Sequence, residues 1–173
     1  MRRLIAITCF LVIAHLTVGA ANCVSQGPRD VVRQYCSLDA QGANFSASNP
    51  NAKAIYTLLI NEDEAGYDES VIIKSYKIGK SKVGGKNADV EVIYSSLGTM
   101  ASELSAKKAT HLETVMFHLT LVDNSWKIDG LRIPPHISQS WILAHLRQGL
   151  RGAGQAGHSD PRTKAAIAQI TRW

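Results

Sequence analysis

Three kinds of feature are scarce in this sequence: cysteines, aromatic residues and long apolar segments. Three cysteines in 173 residues exclude a small domain whose stability depends on a disulfide framework. The histidines show no spacing typical of zinc ligands, so we expect no metal site. Aromatic residues make up 6% of the chain, and no dense Lys/Arg block is interleaved with them. Because the formal charge is only +5, this composition argues against nucleic-acid binding.

Motifs for phosphate-containing cofactors and for serine nucleophiles are also missing. The chain has no Gly-rich loop that could cradle a phosphate group. Ser95 and Ser96 precede Gly98, but a nucleophile elbow needs a glycine on each side of the serine. We therefore expect no bound cofactor and no serine nucleophile of this kind.

The sequence does contain a secretory signal at its start. Arg2 and Arg3 are followed by a mostly apolar run over residues 4–18 and then by three small residues. This order is typical of a cleavable signal peptide, and the run is shorter than the roughly 20 residues that a membrane-spanning helix needs. We predict cleavage after Ala20 or Ala21 and hence an exported protein, either periplasmic or secreted. Loss of the two arginines lowers the formal charge from +5 to +3.

Two cysteines remain after cleavage, Cys23 and Cys36. Cys23 lies just after the apolar run, where a lipid-modified cysteine would stand, but it follows Asn22 rather than the Gly, Ala or Ser of bacterial lipoprotein signals. A lipid there would tether the chain to a membrane without spanning it. An oxidising compartment also permits a disulfide between Cys23 and Cys36. The alternative is that Cys36 is a small buried thiol on a helix face.

The periodicity of apolar residues changes from helical to alternating along the chain. A first helix is predicted between Pro28 and Gly42, because apolar residues recur there every three or four positions. Asn49 and Pro50 begin a second helix, as its N-cap and its first residue. From Val71 onward, apolar and polar residues alternate, which predicts strands.

Four strands are predicted after the second helix. Their spans are residues 71–79, 88–94, 112–122 and 126–133, while residues 98–110 are left unassigned. The last two strands form a hairpin, because Asp123, Asn124 and Ser125 make a tight turn between them. Helices on one side of a curved, mainly antiparallel sheet of four or more strands give an α+β fold.

The C-terminal region returns to helical spacing. Residues 137–150 predict a helix, residues 149–157 are Gly-rich and predict a flexible linker, and Asp160 with Pro161 begins a short last helix. The basic tail either docks on the domain or forms a disordered arm. The sequence thus divides into a signal peptide over residues 1–20, one domain over residues 27–149 and a tail over residues 150–173.

The domain resembles the nuclear transport factor 2-like superfamily, to which ketosteroid isomerase belongs. The resemblance is carried by residues 31–42, by residues 88–94, and by residues 115–131, which include Trp-Lys-Ile-Asp-Gly. It implies a cone-shaped domain in which a curved sheet wraps around the helices. This fold hosts enzymes, binding proteins and assembly subunits, so the resemblance alone does not choose among them.

A comparison with the isomerases concerns individual residues. Their first helix carries a tyrosine seven residues before a glycine, as do Tyr35 and Gly42 here, and that tyrosine donates a hydrogen bond to the oxyanion. His118 stands where their second donor, a protonated aspartic acid, is expected. Asp68 and Glu69 lie in the region of their general base but do not reproduce its pattern. A proton cannot be moved at carbon without a base, so this departure argues against the isomerase reaction.

We therefore expect a non-enzymatic exported domain that binds a small apolar ligand or a protein partner. The candidate ligand-binding residues are those that would line the mouth of a cone: Tyr35, Tyr76, Tyr94 and His118. Pairing of the sheet face with a second copy would give a homodimer.

Two alternative functions stay open. The first is a small-molecule isomerase, dehydratase or hydrolase that uses Tyr35 and His118, with Asp68 or Glu69 as the base. The second is an accessory or assembly subunit of the cell envelope that docks through residues 150–173.

Overall fold

The computed structural model of the chain describes residues 26–61, 67–130, 132–155 and 160–173. The predicted signal peptide and Cys23 lie outside the described residues. In chain order, the helices and strands are α1 (Pro28–Ala40), α2 (Ala52–Tyr56), β1 (Glu69–Gly84), β2 (Asn87–Ala101), β3 (Ala106–Val122), β4 (Ser125–Asp129), β5 (His136–Ser138), α3 (Gln139–Gln155) and α4 (Pro161–Thr171).

The strands form one curved sheet in the order β4-β3-β2-β1-β5, with helices on both sides. Neighbouring strands are antiparallel except β1 and β5, which are parallel. The prediction of an α+β fold with a mainly antiparallel sheet is therefore confirmed. Its five strands agree with the expected four or more, and β5 is the strand that was not predicted.

The first helix forms as the sequence predicts. Pro28 occupies the first turn, where its missing N–H costs nothing, and Asp30 lies near the positive end of the helix dipole. Gly42 ends the helical region with φ of +74°, a backbone conformation that L side chains rarely adopt. The buried face of α1 includes Tyr35, Cys36 and Asp39.

The second helix is much shorter than predicted. It spans only Ala52–Tyr56, and its N-cap residue Asn51 makes no side-chain capping bond. Immediately after it, the chain runs beside β4: the Ile128 N–H donates to the Leu58 carbonyl, and the Ile60 N–H donates to the Ile128 carbonyl. The helix ends early because the edge strand offers unpaired backbone groups that this segment satisfies.

The first hairpin is longer than its alternation of apolar residues indicates. β1 continues to Gly84, and β2 runs from Asn87 through residues 98–101, which the sequence left unassigned. The last three residues of β1, Lys82 to Gly84, are all exposed, so no alternation marks this end of the strand. Register shifts between Ile72 and Ile73 and between Ser96 and Gly98 add bends to the sheet.

Two apolar cores cover the two faces of the sheet. The inner core packs α1 and α2 against β1 to β4, and its fully buried residues include Val32, Phe117 and Ile128. The outer core packs α3 and α4 against β1 and β5, and it includes Ile72 and Ile170. The sheet is therefore covered on both sides near β1 and β5, so the prediction that the helices pack on one side of the sheet is wrong for α3 and α4.

The C-terminal region packs on the domain. The predicted flexible linker is wrong for residues 149–155, because α3 continues to Gln155. α4 begins at Pro161, with Asp160 accepting a hydrogen bond from the Arg162 amide, and it buries Ala166 and Ile170. Within the described residues, no helix has the length and apolar content to span a membrane.

Candidate functional site

A cavity of about 460 Å³ lies beside the C-terminal end of α1, where β1 begins and β2 ends. This volume is within the range of small-molecule sites. Its apolar and aromatic lining comes from Tyr35, Phe45, Ala47, Tyr56, Leu59, Tyr67, Met100, Ala101, Leu104, Ile133 and Pro135. Its polar lining comes from Asn44, Ser46, Asp68, Glu69, Ser70 and Ser102.

The Tyr35 hydroxyl is a polar group of this cavity that a hydrogen bond holds in place. Asn44 Nδ2 donates to it at 2.9 Å and also donates to Asp39 Oδ1 at 3.1 Å. The tyrosine oxygen accepts this bond, which leaves its own proton free to be donated. No acceptor for that proton is found among the described residues. Burial raises the pKa of Tyr35 well above its usual value, so the hydroxyl keeps its proton at neutral pH and can donate it to a ligand.

Asp39 lies behind this pair and is completely buried. Its Oδ2 accepts a hydrogen bond from the His136 backbone N–H at 2.9 Å, and its Oδ1 accepts from Asn44. Burial raises the pKa of Asp39 from an ordinary 3.8 to about 7, although both hydrogen bonds act to lower it. Asp39 does not line the cavity, so it acts on a ligand only by holding Asn44 and Tyr35.

The His136 side chain extends this buried polar cluster. Its ring stacks on Tyr94 with centroids 4.1 Å apart, and its Nε2 lies 3.2 Å from Oε2 of Glu113. Burial lowers the pKa of His136, while Glu113 and the carbonyl of Pro134 act to raise it. Nδ1 makes no hydrogen bond of good geometry in the described residues, so the neutral ring with the proton on Nε2 fits best.

Cys36 occupies the same buried cluster as a free thiol. Its Sγ lies 3.2 Å from the Tyr94 hydroxyl. Burial is the main cause that raises the pKa of Cys36 to about 12, so the thiol is un-ionised and a poor nucleophile. The predicted disulfide with Cys23 stays a prediction, since Cys23 lies outside the described residues.

Three of the four predicted ligand-binding residues lie on the inner face of the sheet. Tyr35 packs edge-on against Phe117 at 5.5 Å, and Tyr76 lies 6.2 Å from Tyr94. Only Tyr35 lines the cavity. Tyr94 is wholly buried, so it forms the floor of the inner core and does not contact the cavity.

His118 lies on the opposite face of the sheet. Its neighbour Phe117 is buried against Tyr35, and successive residues of a strand point to opposite faces. The His118 side chain is 67% exposed and pairs with Asp89 across the sheet at 2.7 Å. The structure therefore does not bring His118 and Tyr35 together. Aligning the turn had matched His118 with a catalytic aspartic acid of the isomerases. In the structure, His118 instead lies on the outer face of the sheet.

Asp68 and Glu69 do line the cavity together with Tyr35. They stand at the start of β1, where the chain enters the sheet. Of the residues proposed for chemistry, the structure thus assembles one tyrosine and two carboxylates around one cavity.

The buried polar cluster behind Tyr35 was missed from sequence. Asp39 follows Val32, Tyr35 and Cys36 at seven, four and three positions, so it belongs to the apolar stripe of α1. A carboxylate in a buried apolar stripe is rarely found without a partner, and this was the signal in the sequence that could have indicated a buried polar cluster. His136 gave no local signal, because its role depends on β5 pairing with β1.

No group of three or more metal-ligating side chains is arranged around an ion site in the described part of the chain. No protein-family model, curated protein or solved structure matches the chain, so its resemblance to the nuclear transport factor 2-like superfamily stays a prediction.

Proposed function

We propose that the chain is an exported domain of the nuclear transport factor 2-like kind that binds a small, largely apolar molecule in the cavity beside Tyr35. One observation carries the proposal: a cavity of about 460 Å³, lined by both apolar and polar side chains, contains a tyrosine hydroxyl whose proton has no acceptor among the described residues. Pockets for small ligands combine apolar walls with a few fixed polar groups.

The polar group is held in place before any ligand arrives. Asn44 uses both Nδ2 hydrogens, one on Tyr35 and one on Asp39, and Asp39 is itself held by the His136 amide. This chain of hydrogen bonds fixes the direction of the phenol, so less order must be created on binding. Tyr35 therefore suits a ligand with an acceptor oxygen, as in a ketone or an ether, and the aromatic part of the lining suits an apolar part of the same ligand.

Two probes that differ only in the acceptor test this proposal. Benzophenone carries a carbonyl oxygen, whereas diphenylmethane has a methylene group in its place. Each is titrated against the uncharged dye Nile red bound to the purified chain, and displacement is followed by fluorescence. We expect benzophenone to bind about 5-fold more tightly, because it gains one neutral hydrogen bond.

Tyr35→Phe should abolish the difference between the two probes and leave the affinity for diphenylmethane nearly unchanged. Tyr76→Phe is the matched control, since Tyr76 packs in the same core but does not line the cavity. Failure of both probes to displace the dye would contradict ligand binding in this cavity. An unchanged preference in Tyr35→Phe would contradict the role of the tyrosine.

A second function is favoured by the two carboxylates that share the cavity with Tyr35. A hydrogen-bond donor for a developing oxyanion and a carboxylate base are the two groups that proton transfer next to a carbonyl requires. Tyr35 would supply the donor, and Asp68 or Glu69 would supply the base. His118 has no part in this arrangement.

Deuterium exchange tests this chemistry without knowledge of the substrate. α-Tetralone is incubated with the chain in D₂O, and loss of its α-proton signal is followed by NMR. Catalysed exchange that disappears in Asp68→Asn or Glu69→Gln, but persists in the outer-face variant Asp89→Asn, would support an enzyme. Exchange at the uncatalysed rate leaves binding as the function.

We also propose that the outer face of the sheet pairs with a second copy of the chain. Leu112 is 74% exposed and Met116 is 45% exposed on this face of β3. Light scattering of the purified chain measures the mass directly. Leu112→Lys with Met116→Lys should convert a dimer to a monomer, and a wild-type chain that is monomeric at high concentration contradicts the pairing.

A further inference from the structure

A second concave site lies on the other side of the loop after α1. It is a groove of about 650 Å³ between residues 41–51 and one face of α3. Ser46 contributes to both this groove and the cavity of Tyr35. The remaining lining of the groove differs from that of the cavity, so the two sites suit different ligands.

The groove is lined by uncharged polar groups. Four primary amides and two serines face it: Gln41, Asn49, Asn51, Gln148, Ser46 and Ser48. Among the described residues, no Lys, Arg, Asp or Glu lines it, and His145 is the one ionisable residue. An ionic ligand would therefore find no fixed counter-charge, whereas amides and hydroxyls both donate and accept hydrogen bonds. This lining suits a neutral ligand that is rich in hydroxyl groups.

Part of this hydrogen-bonding capacity holds the loop, and part is free. Asn49 donates to the Gln41 carbonyl at 2.8 Å and accepts from the Asn51 amide at 2.8 Å, which fixes the loop. Within the described ranges, the side chains of Asn51 and Gln148 have no hydrogen-bond partner. Their amides lie on the two walls of the groove and are free to bind hydroxyl groups.

An aromatic stack forms one side of the groove. The His145 ring lies parallel to the Trp141 ring, with centroids 4.9 Å apart and planes 12° apart. Phe45 contacts both rings edge-on, at 5.8 Å from Trp141 and 5.6 Å from His145. His145 is exposed, so the face of its ring that is turned away from Trp141 gives the stack a flat aromatic surface. The C–H faces of a sugar ring pack well on such a surface, because its quadrupole attracts the positive edges of C–H bonds.

Two glycines leave the groove-facing side of the adjoining turn of α3 without side chains. Gly149 and Gly152 line the groove, and a Cβ added at either position would meet no atom within 4 Å. Packing therefore does not require a glycine at either position. Each glycine inside a helix costs about 0.5–1 kcal/mol relative to alanine. A ligand that lies against the helix backbone would explain why glycine occupies both positions.

We propose that this groove binds a neutral saccharide, with one sugar ring on the His145 and Trp141 stack and its hydroxyl groups on Asn51 and Gln148. The two glycines leave room for the neighbouring sugar unit along α3. The site is separate from the cavity of Tyr35, so the proposal does not depend on the function assigned to that cavity.

Titration with trisaccharides tests the proposal. Cellotriose, maltotriose and triacetylchitotriose are added separately to the ¹⁵N-labelled chain, and backbone, side-chain amide and indole signals are followed by NMR. We expect at least one to cause saturable shifts of the Trp141 indole and of the Gln148 side-chain amide. A Gly-Ser peptide of similar length, with acetylated and amidated termini, serves as a polar, uncharged ligand of another class.

Variants on the two sides of α3 locate the binding. Gly152→Leu fills the groove and should weaken binding at least about 10-fold, while Gln148→Ala should weaken it about 2- to 10-fold through the lost hydrogen bond. Arg147→Leu is the matched control, because Arg147 is exposed on the same helix but does not line the groove. Gly152→Leu should fold normally, since its new side chain meets open space.

Three outcomes would overturn the proposal. The first is that no trisaccharide gives saturable shifts up to its solubility limit. The second is that the peptide binds and the saccharides do not. The third is that a saccharide binds with the same affinity to wild type, Gly152→Leu and Arg147→Leu, which would place it elsewhere on the chain.

Discussion

The backbone amide of His136 donates a 2.9 Å hydrogen bond to the carboxylate of Asp39, which lies 97 residues earlier in the chain. This bond ties β5, the strand at the edge of the sheet, to the buried face of α1. The same carboxylate orients Asn44, and Asn44 orients Tyr35. One buried acid therefore connects the closure of the sheet to the polar group in the cavity.

The first prediction concerns the pH dependence of stability. The pKa of Asp39 is raised from 3.8 to about 7 in the fold, so folding favours its protonated form. Its contribution to stability is complete below pH 3.8 and is lost as the pH rises through about 7, by a total of about 4 kcal/mol. His136 acts in the opposite direction because its pKa is lowered: its contribution is present above pH 6.5 and is lost in acid.

Asp39→Asn isolates the part due to Asp39. The new amide can still accept from the His136 N–H, and the Asn44 amide can flip to accept from it. We expect the free energy of unfolding, measured by urea denaturation at each pH, to fall between pH 4 and 8 in wild type by more than in the variant. If the free energy of unfolding changes with pH in the same way in both chains, ionisation of Asp39 does not destabilise the fold.

How far the sequence predicts this fold depends on how local each interaction is. α1 and the β3–β4 hairpin follow from nearby residues: the predicted turn contains Asp123 and Asn124, both with positive φ, as a two-residue hairpin turn requires. β5 has three residues and pairs in parallel with β1. Nothing near it in sequence distinguishes such a strand from the first turn of the helix that follows.

The candidate site shows the same limit. Tyr35 was predicted to face the ligand because it belongs to a periodic helix and matches a family pattern. His118 was placed beside it by aligning a turn, but a shift of one residue moves a strand side chain to the opposite face. The fully buried Asp39 and His136 meet only when the sheet closes, so spacing along the chain does not predict their contact.

The second prediction concerns the reactivity of Cys36. Its thiol is buried, lies beside the Tyr94 hydroxyl, and has its pKa raised to about 12. In a Cys23→Ser chain that lacks residues 1–20, Cys36 should not react with Ellman's reagent until denaturant unfolds the domain. Rapid labelling of the native chain would contradict the burial of this thiol. Mass spectrometry of the wild-type chain, before and after reduction, tests the disulfide between Cys23 and Cys36.

The third prediction compares two glycines with positive φ. Gly42 has φ of +74° and Gly85 has φ of +62°, so alanine at either position costs about 1–2 kcal/mol of backbone strain. At Gly42 the added Cβ would also lie 2.3 Å from the Trp141 ring, whereas at Gly85 it meets no atom within 4 Å. Gly42→Ala should therefore destabilise the chain by about 1–3 kcal/mol more than Gly85→Ala. Equal losses in thermal unfolding would show that Trp141 does not pack against Gly42.

The last prediction decides whether the C-terminal tail is part of the domain. Ile170 is completely buried in the outer core, and Gln139 Nε2 donates to its carbonyl at 2.8 Å. Ile170→Ala should lower the free energy of unfolding by about 2–5 kcal/mol, because it leaves a cavity among Ile72, Ile142 and their neighbours. Arg172→Ala is the control, since Arg172 is exposed two residues further along.

Deletion of residues 150–173 extends this test to the alternative function of the tail as a docking arm. An arm that serves a partner can be removed while the domain stays folded. α4 instead covers the outer core, so its removal exposes Ile142 and Leu146 and should destabilise the domain and promote its aggregation. If the truncated chain unfolds at the same temperature as wild type, α4 does not stabilise the domain, and docking to a partner becomes the better explanation of the tail.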